Sequence, residues 1–270
     1  GGGLVLGYDA AGVVEAVGSE VTRHAVGDEV YYAGSLTRAG SFATHQLVDG
    51  RIVGKKPKSL DFVEAAALPL TSITAWELLF DRLEVPTDTA EQLLVIGAAG
   101  GVGSVLLQLA RARTKLSVTG TASRPETEAW GKKQGALHVL NHHKNLEEER
   151  AQQDLPHFRY IASLNGTEKN LKVLPELVAP QGRLAVIDDP PTLDVMPYKM
   201  KSASVHWEFM FARPMFNTAD IEQQANLLDE VARLVDAGQD ETTLQGRLGP
   251  RPAATLDAAR GAMLEGKDIG

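Results

Sequence analysis

The chain has 270 residues, of which 43% are hydrophobic and 23% charged, with a formal net charge of −8 and no cysteine. That length holds one large domain or two smaller ones. The charge balance leaves no basic stretch to neutralise phosphates and argues against nucleic acid as a partner. The absence of cysteine removes disulfides, thiolate zinc sites and a cysteine nucleophile together, and it fits a reducing, cytoplasmic compartment.

At the start, Gly1-Gly2-Gly3 precede only the short apolar run Leu4-Val5-Leu6, which is no signal peptide. The chain opens without Met and stops at Gly270 directly after Lys267-Asp268-Ile269, so a piece of a longer protein is expected. Residues 4–54 read as β-rich. Strands are expected over Val13–Val17, closed by Gly18, over Glu29–Tyr32 after the turn Gly27-Asp28, and over Phe42–Val48 between Gly40 and Asp49-Gly50. From Asp61 to Leu83 the pattern is helical, interrupted at Leu68-Pro69-Leu70.

Gln92–Ala110 reads QLLVIGAAGGVGSVLLQLA. An apolar run, Leu93–Ile96, turns through Gly97, Ala98, Gly100, Gly101, Val102 and Gly103 and leaves as an apolar helix. Strand, glycine turn and helix in that order form the phosphate-binding corner of a dinucleotide fold. Glycine lets the backbone approach a pyrophosphate, and the helix N-terminus offers unpaired N–H groups and partial positive charge. The motif is a variant, Ala98-x-Gly100-x-x-Gly103, with Ala98 at its first glycine position. Leu93–Ala110 carries no formal charge, which a hydropathy scan would read as a membrane span. The four glycines and the flanking Arg111 and Arg113 argue against a span.

Strands are then expected at Leu116–Thr121, His138–Leu140, Tyr160–Ser163, Arg183–Ile187 and Ser204–Trp207, with helices at Pro125–Gly135 and Asn145–Gln153 between them. Such alternation means a parallel sheet covered on both faces. Ile221, Ala225, Leu228, Val231, Ala232 and Val235 mark one face of a long helix stopped by Gly238.

An NAD-preferring fold places an acid at the end of its second strand. Here that strand ends Gly120-Thr121-Ala122-Ser123-Arg124, with no acid before Glu126. Ser123 can donate a hydrogen bond and Arg124 a forked contact, so the pair favours the 2′-phosphate of NADPH. The plain alternative is a solvated arginine in a helix-entry loop.

Together these stretches resemble the medium-chain dehydrogenase/reductase superfamily on its quinone oxidoreductase side. LGYDAAGVVEAVGSEVTRHAVGDEVYYAG is similar to that family's G-x-(D/E)-x-x-G-x-V-x-x-x-G segment followed by GDxV, LPLTSITAWELL to its interdomain helix and GAAGGVG to its nucleotide motif. GTASRPET, GRLAVIDDP and SVHWEFMFARPMF match the subgroup often called zinc-type alcohol dehydrogenase-like. The resemblance implies an α/β fold: a Rossmann doubly wound parallel sheet over 69–208, and a partial GroES-like β-barrel domain over 1–68 and 209–270. It also implies that about 55 to 65 residues precede this chain in the family, a length judged from the size of the first domain, and that a short final strand follows it.

Zinc-dependent relatives carry Gly-His-Glu at the segment matching Gly7-Tyr8-Asp9, so their histidine ligand is Tyr8 here. A second ligand position, a cysteine, corresponds to Leu70, and the four-cysteine lobe is absent. Tyr and Leu cannot replace such ligands, so no metal is expected. His138, His142 and His143 sit around a strand end and could share a metal if that stretch were helical; the plain alternative is loop histidines near the cofactor edge.

Without a Lewis acid the natural task is hydride delivery from NADPH to an already activated acceptor, a quinone or an α,β-unsaturated carbonyl. Tyr8, in the former ligand position, is the candidate for orienting the substrate oxygen; its alternative is a packed core tyrosine. Thr74 matches a family threonine that lies against the nicotinamide. Asn141, Ile187 and Asp188 fall at strand ends, where such a sheet places its ligand crevice. Trp207, Phe209, Met210 and Phe211 line an apolar acceptor pocket or are plain core. The competing readings are a non-catalytic NADPH-binding sensor or structural protein, and a lyase-labelled member of the subgroup. No membrane partner is expected, and dimers are common in the family.

Overall fold

The computed structural model describes residues 5–247. In chain order, β1 (Ala10–Val13), β2 (Glu29–Tyr32) and β3 (Gly54–Lys55) precede α1 (Phe62–Ala65), α2 (Pro69–Trp76) and a π-helical turn, Glu77–Arg82. Then come β4 (Gln92–Ile96), α3 (Gly101–Arg113), β5 (Ser117–Thr121), α4 (Pro125–Gln134), β6 (His138–Leu140), α5 (Leu146–Gln152), β7 (Phe158–Ser163), α6 (Thr167–Asn170), α7 (Leu174–Leu177), β8 (Val178–Val186) and β9 (Ser204–Trp207). Helices α8 (Ala212–Phe216) and α9 (Gln223–Asp236) follow.

These elements divide into two compact units. Among the described residues, one runs to Asp81 and takes in Glu208–Thr242; the other comprises Arg82–Trp207 and 243–247. Helix α2 packs on β2 and α9 within the first unit. The part of the expected 209–270 segment beyond residue 247 lies outside the described residues, as do residues 1–4.

In the first unit β1, β2 and β3 form an antiparallel sheet, with Ala10 opposite Tyr32 and Val30 opposite Lys55. The face of α9 read from the sequence is buried: Ala225, Leu228, Val231, Ala232 and Val235 all pack inward. A Cβ on Gly54 would come within 2.5 Å of Leu228 Cβ, so a glycine is needed for α9 to lie this close to β3. The buried Tyr31 hydroxyl donates to the Leu228 carbonyl at 2.6 Å. Gly238, at φ +67°, ends the helix where it was expected to stop. By length and composition Phe62–Arg82 could cross a bilayer, but Ala65, Leu68, Ile73, Ala75, Leu78 and Leu79 are buried in the unit.

Two strand expectations are corrected here. The first strand ends at Val13 rather than continuing to Val17, and no strand covers 42–48. Near the latter, Gly40, Ser41 and Phe42 donate to the carbonyls of Val5, Gly7 and Leu6. Those three bonds sit together at the start of the segment and do not propagate into a ladder, which alternating apolar residues alone cannot create.

The second unit is a six-stranded parallel sheet of order β6-β5-β4-β7-β8-β9. The order reverses at β4, which pairs with β5 on one side and β7 on the other, the switch point at which a doubly wound sheet opens its ligand crevice. The 93–110 stretch weighed as a membrane span is divided between β4 and α3. Leu94, Ile96, Leu140, Phe158, Ile161, Leu184 and Val186 form one side of the core.

Candidate functional site: a glycine corner and a tyrosine–aspartate cluster

At the switch point, Gly97 leaves β4 with φ +86°, a conformation L-residues rarely adopt. Its N–H donates to Thr121 Oγ1 at 3.2 Å, tying the turn to the end of β5. A Cβ on Gly103 would lie 2.3 Å from the Gly97 carbonyl oxygen and 2.7 Å from that of Ala98, so the helix can approach the turn only without one. Ala98, at the variant position, is buried, and a Cβ on Gly120 would meet its methyl at 2.9 Å. Gly100 caps α3 and has no side chain of its own to occupy the N–H groups of the first turn. Gly97, Gly101 and Val102 are partly exposed and Gly100 is exposed. A backbone cradle with these properties fits a pyrophosphate.

The other residues singled out in this unit follow the ends of its strands. Ser123 and Arg124 follow β5 and are both half-buried. Arg124 Nε lies 3.2 Å from Glu126 Oε1, so the guanidinium is oriented by an acid on the first turn of α4. Asn141 follows β6, and its Oδ1 accepts from His143 N–H at 2.9 Å. Burial lowers the pKa of His142, helped by the positive charge of His143, Lys169 and Arg124. Ile187 and Asp188 follow β8; Asp188 accepts from Thr167 N–H at 2.9 Å and from its hydroxyl, so this carboxylate holds the start of α6. Sequence reasoning passed over Asn165. Its side-chain amide occupies the space beside Gly97, with Oδ1 2.9 Å from where a Cβ would stand. Trp207 ends β9 and is 53% exposed.

In the first unit, Tyr8 is 45% exposed, unlike a packed core tyrosine, and its ring meets Phe211 at a centroid distance of 5.0 Å. Phe211 in turn meets Phe209, half exposed, edge-on at 5.8 Å. Met210 instead faces the core, and its carbonyl accepts from Gln224 Nε2 at 2.6 Å. Leu70 N–H donates to Asp9 Oδ1 at 2.7 Å. Burial pushes the Asp9 carboxyl up to about 7, against the pull of that N–H. Thr74 is buried and donates its hydroxyl to the Leu70 carbonyl at 2.8 Å. No pattern in the sequence signals that the Asp9 carboxyl is raised.

Nearby, Arg213 on α8 reaches Glu77 at 2.6 Å and Asp81 and Asp220 at 2.9 Å. Gln224 Nε2 donates to Glu77 at 3.1 Å. Burial raises the Glu77 pKa against the opposing pull of Arg213. Burial also works against the Arg213 charge, but its acids outweigh it and hold the guanidinium above its ordinary value. Glu77 opens the π-helical turn, a geometry that recurs at functional sites.

Zinc does not fit. The two ligand positions carried by the resembling segments hold a phenol and an isobutyl side chain, and the chain contains no thiol. Among the described residues no group of three His, Asp or Glu could hold a metal ion. His142 and His143 stack on each other at 5.0 Å with no carboxylate completing a set.

The alcohol dehydrogenase GroES-like domain family matches residues 2–58, and the zinc-binding dehydrogenase family matches residues 101–229. A zinc-type alcohol dehydrogenase-like protein of Staphylococcus aureus (strain MSSA476) is 40% identical over 247 residues, 88% of this chain and 72% of that protein. A 2-methylene-furan-3-one reductase of Solanum lycopersicum is 41% identical over 131 residues, 45% of this chain and 33% of its own. Among solved structures, a protein of Rhizobium etli CFN 42 assigned as a zinc-dependent alcohol dehydrogenase superposes with TM-score 0.95 at 52% identity, over 99% of this chain and 79% of that one. A quinone oxidoreductase of Pseudomonas syringae pv. Tomato DC3000 gives TM-score 0.81 at 27% identity, over 98% and 80%.

Proposed function

Because the chain belongs to the medium-chain dehydrogenase/reductase superfamily and is an oxidoreductase of that family, we propose that it reduces a quinone or an α,β-unsaturated carbonyl with NADPH as reductant and without zinc. The observation that carries the cofactor choice is the end of β5, where Ser123 and Arg124 stand in place of an acid. An acid there would repel a 2′-phosphate; a guanidinium held in place by Glu126 can donate to one in a fork. When bound, NADPH supplies the hydride and so the hard step of the chemistry.

The chain's own residues bind and orient. The backbone of Gly97–Gly103 and the uncapped start of α3 hold the pyrophosphate, and Asn165 borders the same turn. Thr74 contacts the nicotinamide. Tyr8 presents its hydroxyl to the acceptor oxygen, with Phe211 and Phe209 as the apolar wall behind it. Quinones and enones suit this arrangement because their carbonyl is conjugated to the carbon being reduced. A simple ketone lacks that conjugation, and in zinc-dependent relatives the metal polarises its oxygen. The reductase and quinone oxidoreductase named above support this acceptor class.

The experiment is to mix the protein with NADPH or NADH and a panel of quinones and enones, with and without a chelator, and follow loss of reduced-nicotinamide absorbance. Turnover that prefers NADPH and survives chelation is expected. Tight NADPH binding with no turnover on any acceptor leaves a binding protein instead. Arg124→Ala should weaken NADPH by roughly tenfold or more, the loss of one charge-assisted contact, and leave NADH unchanged. An Arg124→Ala protein that keeps its NADPH preference removes the phosphate assignment.

A further inference from the structure

Helix α2 begins in an unusual way. Its N-cap is Leu68, which has no side-chain acceptor, and Pro69 supplies no N–H. The first amide that needs a partner is therefore Leu70 N–H. Local sequence offers it none, and it is taken by Asp9, 61 residues away. One peptide unit later the chain of contacts continues, since Thr74 Oγ1 donates to Leu70 O at 2.8 Å. A threonine hydroxyl bonded back to the i−4 carbonyl fixes the direction of its side chain. Asp9 is also the residue directly after Tyr8, whose ring rests on Phe211.

We propose that Asp9 is a positioning residue that couples Tyr8 to Thr74: its carboxylate holds the Leu70 amide, and the Leu70 carbonyl holds the Thr74 hydroxyl. The inference rests on the reading of Tyr8 as the substrate-facing and Thr74 as the cofactor-facing residue. Two residues of the reaction centre, far apart in sequence, are thereby set by a single side chain.

Serine or asparagine could accept from the Leu70 amide with no charged form to desolvate. Burial pushes the Asp9 carboxyl from 3.8 to about 7. The folded state thus keeps the proton that the unfolded chain gives up near 3.8. The stability Asp9 contributes is fully present below that value and is lost as pH rises through about 7. At neutral pH the carboxylate is a burden on the fold, as expected of a group retained for the site. Among the described residues, burial and the Leu70 N–H are what act on it. Helix α2 carries no charged side chain, and the acids of the α1 region, Asp61 and Glu64, are bonded to each other's backbone amides. Because a carboxylate accepts from N–H more strongly than a carboxylic acid, the coupling tightens as Asp9 ionises.

The test uses the whole chain and the variant Asp9→Asn, whose Oδ1 still accepts from Leu70 but which cannot ionise. In the cofactor-free wild type, the carboxyl ¹³C resonances should include one Asp signal with a midpoint near 7 that Asp9→Asn lacks. With NADPH and a quinone, wild-type kcat/KM should rise through the same pH, whereas the variant should be flat and its kcat roughly tenfold lower, with KM for NADPH moved about twofold at most. A variant with wild-type kcat and wild-type pH profile, changed only in melting temperature, reduces Asp9 to a helix cap. If Asp9→Asn does not fold, the wild type alone decides, since a kcat/KM that is flat across the measured carboxyl midpoint overturns the coupling. An Asp midpoint near 4 overturns the inference while leaving the reductase reading standing. Absence of turnover on every acceptor removes that reading and the inference with it.

Discussion

At the Gly97–Gly103 corner the surface offered to a ligand is backbone, whereas Tyr8, Asp9, Glu77 and Arg213 of the first unit act through side chains, of which Glu77 and Arg213 are buried. The two regions should therefore fail in opposite ways. The corner tolerates no added atoms, since a Cβ at Gly103 has only 2.3 Å to the Gly97 oxygen. The cluster tolerates no removed ones, since Glu77 is 1% exposed and its charge is held by Arg213 and Gln224. A burial pattern cannot tell these apart; only the chemistry of what is buried can.

The largest effect is expected from Arg213→Met. The substitution keeps an apolar stem of similar length and leaves Glu77 ionisable in a dry site. Breaking a buried pair from one side costs about 3–5 kcal/mol, which for a chain of this size lowers Tm by roughly 10 °C. Replacing both partners, Arg213→Met with Glu77→Met, should restore a good part of that loss, because no stranded charge remains. Thermal melts of the three proteins decide the matter. A single variant that melts with the wild type would show that the cluster is solvated in practice, and the contrast with the corner would collapse.

Next in size is a pair of glycine substitutions that sharpens the comparison within the corner itself. Gly103→Ala forces backbone apart and should cost about 3 kcal/mol, with NADPH affinity falling below detection by titration. Gly100→Ala meets nothing closer than 3.6 Å and loses only the preference for glycine at a helix cap, about 1 kcal/mol. The two residues are three apart and identical in sequence character. Equal losses of stability would mean that the corner is governed by helix propensity and not by close approach.

That pair also shows what the sequence makes legible. The corner lies within seven consecutive residues, so strand, turn and helix announce it together, and the parallel strands around it are each marked by a short apolar run. The side-chain cluster is assembled across the chain. Asp9 and Leu70 are 61 residues apart, and Asp81 and Arg213 are 132 apart. Nothing local to Asp9 says that the Leu70 amide will reach it, and nothing local to Arg213 says that three acids await it. The segment 42–48 failed for a related reason, since alternation gives a strand only when a neighbour supplies a ladder, and here the pairing stops at Phe42. Tyr8 and Leu70 could be singled out only through resemblance to a family in which those positions bind metal.

The smallest expected effect tests whether Tyr8 belongs with the side-chain region by chemistry or only by shape. Tyr8→Phe removes one exposed hydroxyl and leaves the ring on Phe211. Stability should change by no more than about 0.5 kcal/mol, as for other surface substitutions without a special role. If the hydroxyl orients the acceptor, kcat should fall by about tenfold, or ~1.4 kcal/mol of barrier, with NADPH affinity unchanged. Tyr8→Leu separates the wall from the hydroxyl, because it should lose acceptor affinity as well as rate. Steady-state kinetics on one quinone and one enone distinguish the two. Should Tyr8→Phe match the wild type on both while Tyr8→Leu raises KM, the phenol is an aromatic wall and the proton and orientation must come from another group. Loss of kcat in Tyr8→Phe alone ties the rate to a single oxygen atom at the position where zinc-dependent relatives hold their metal.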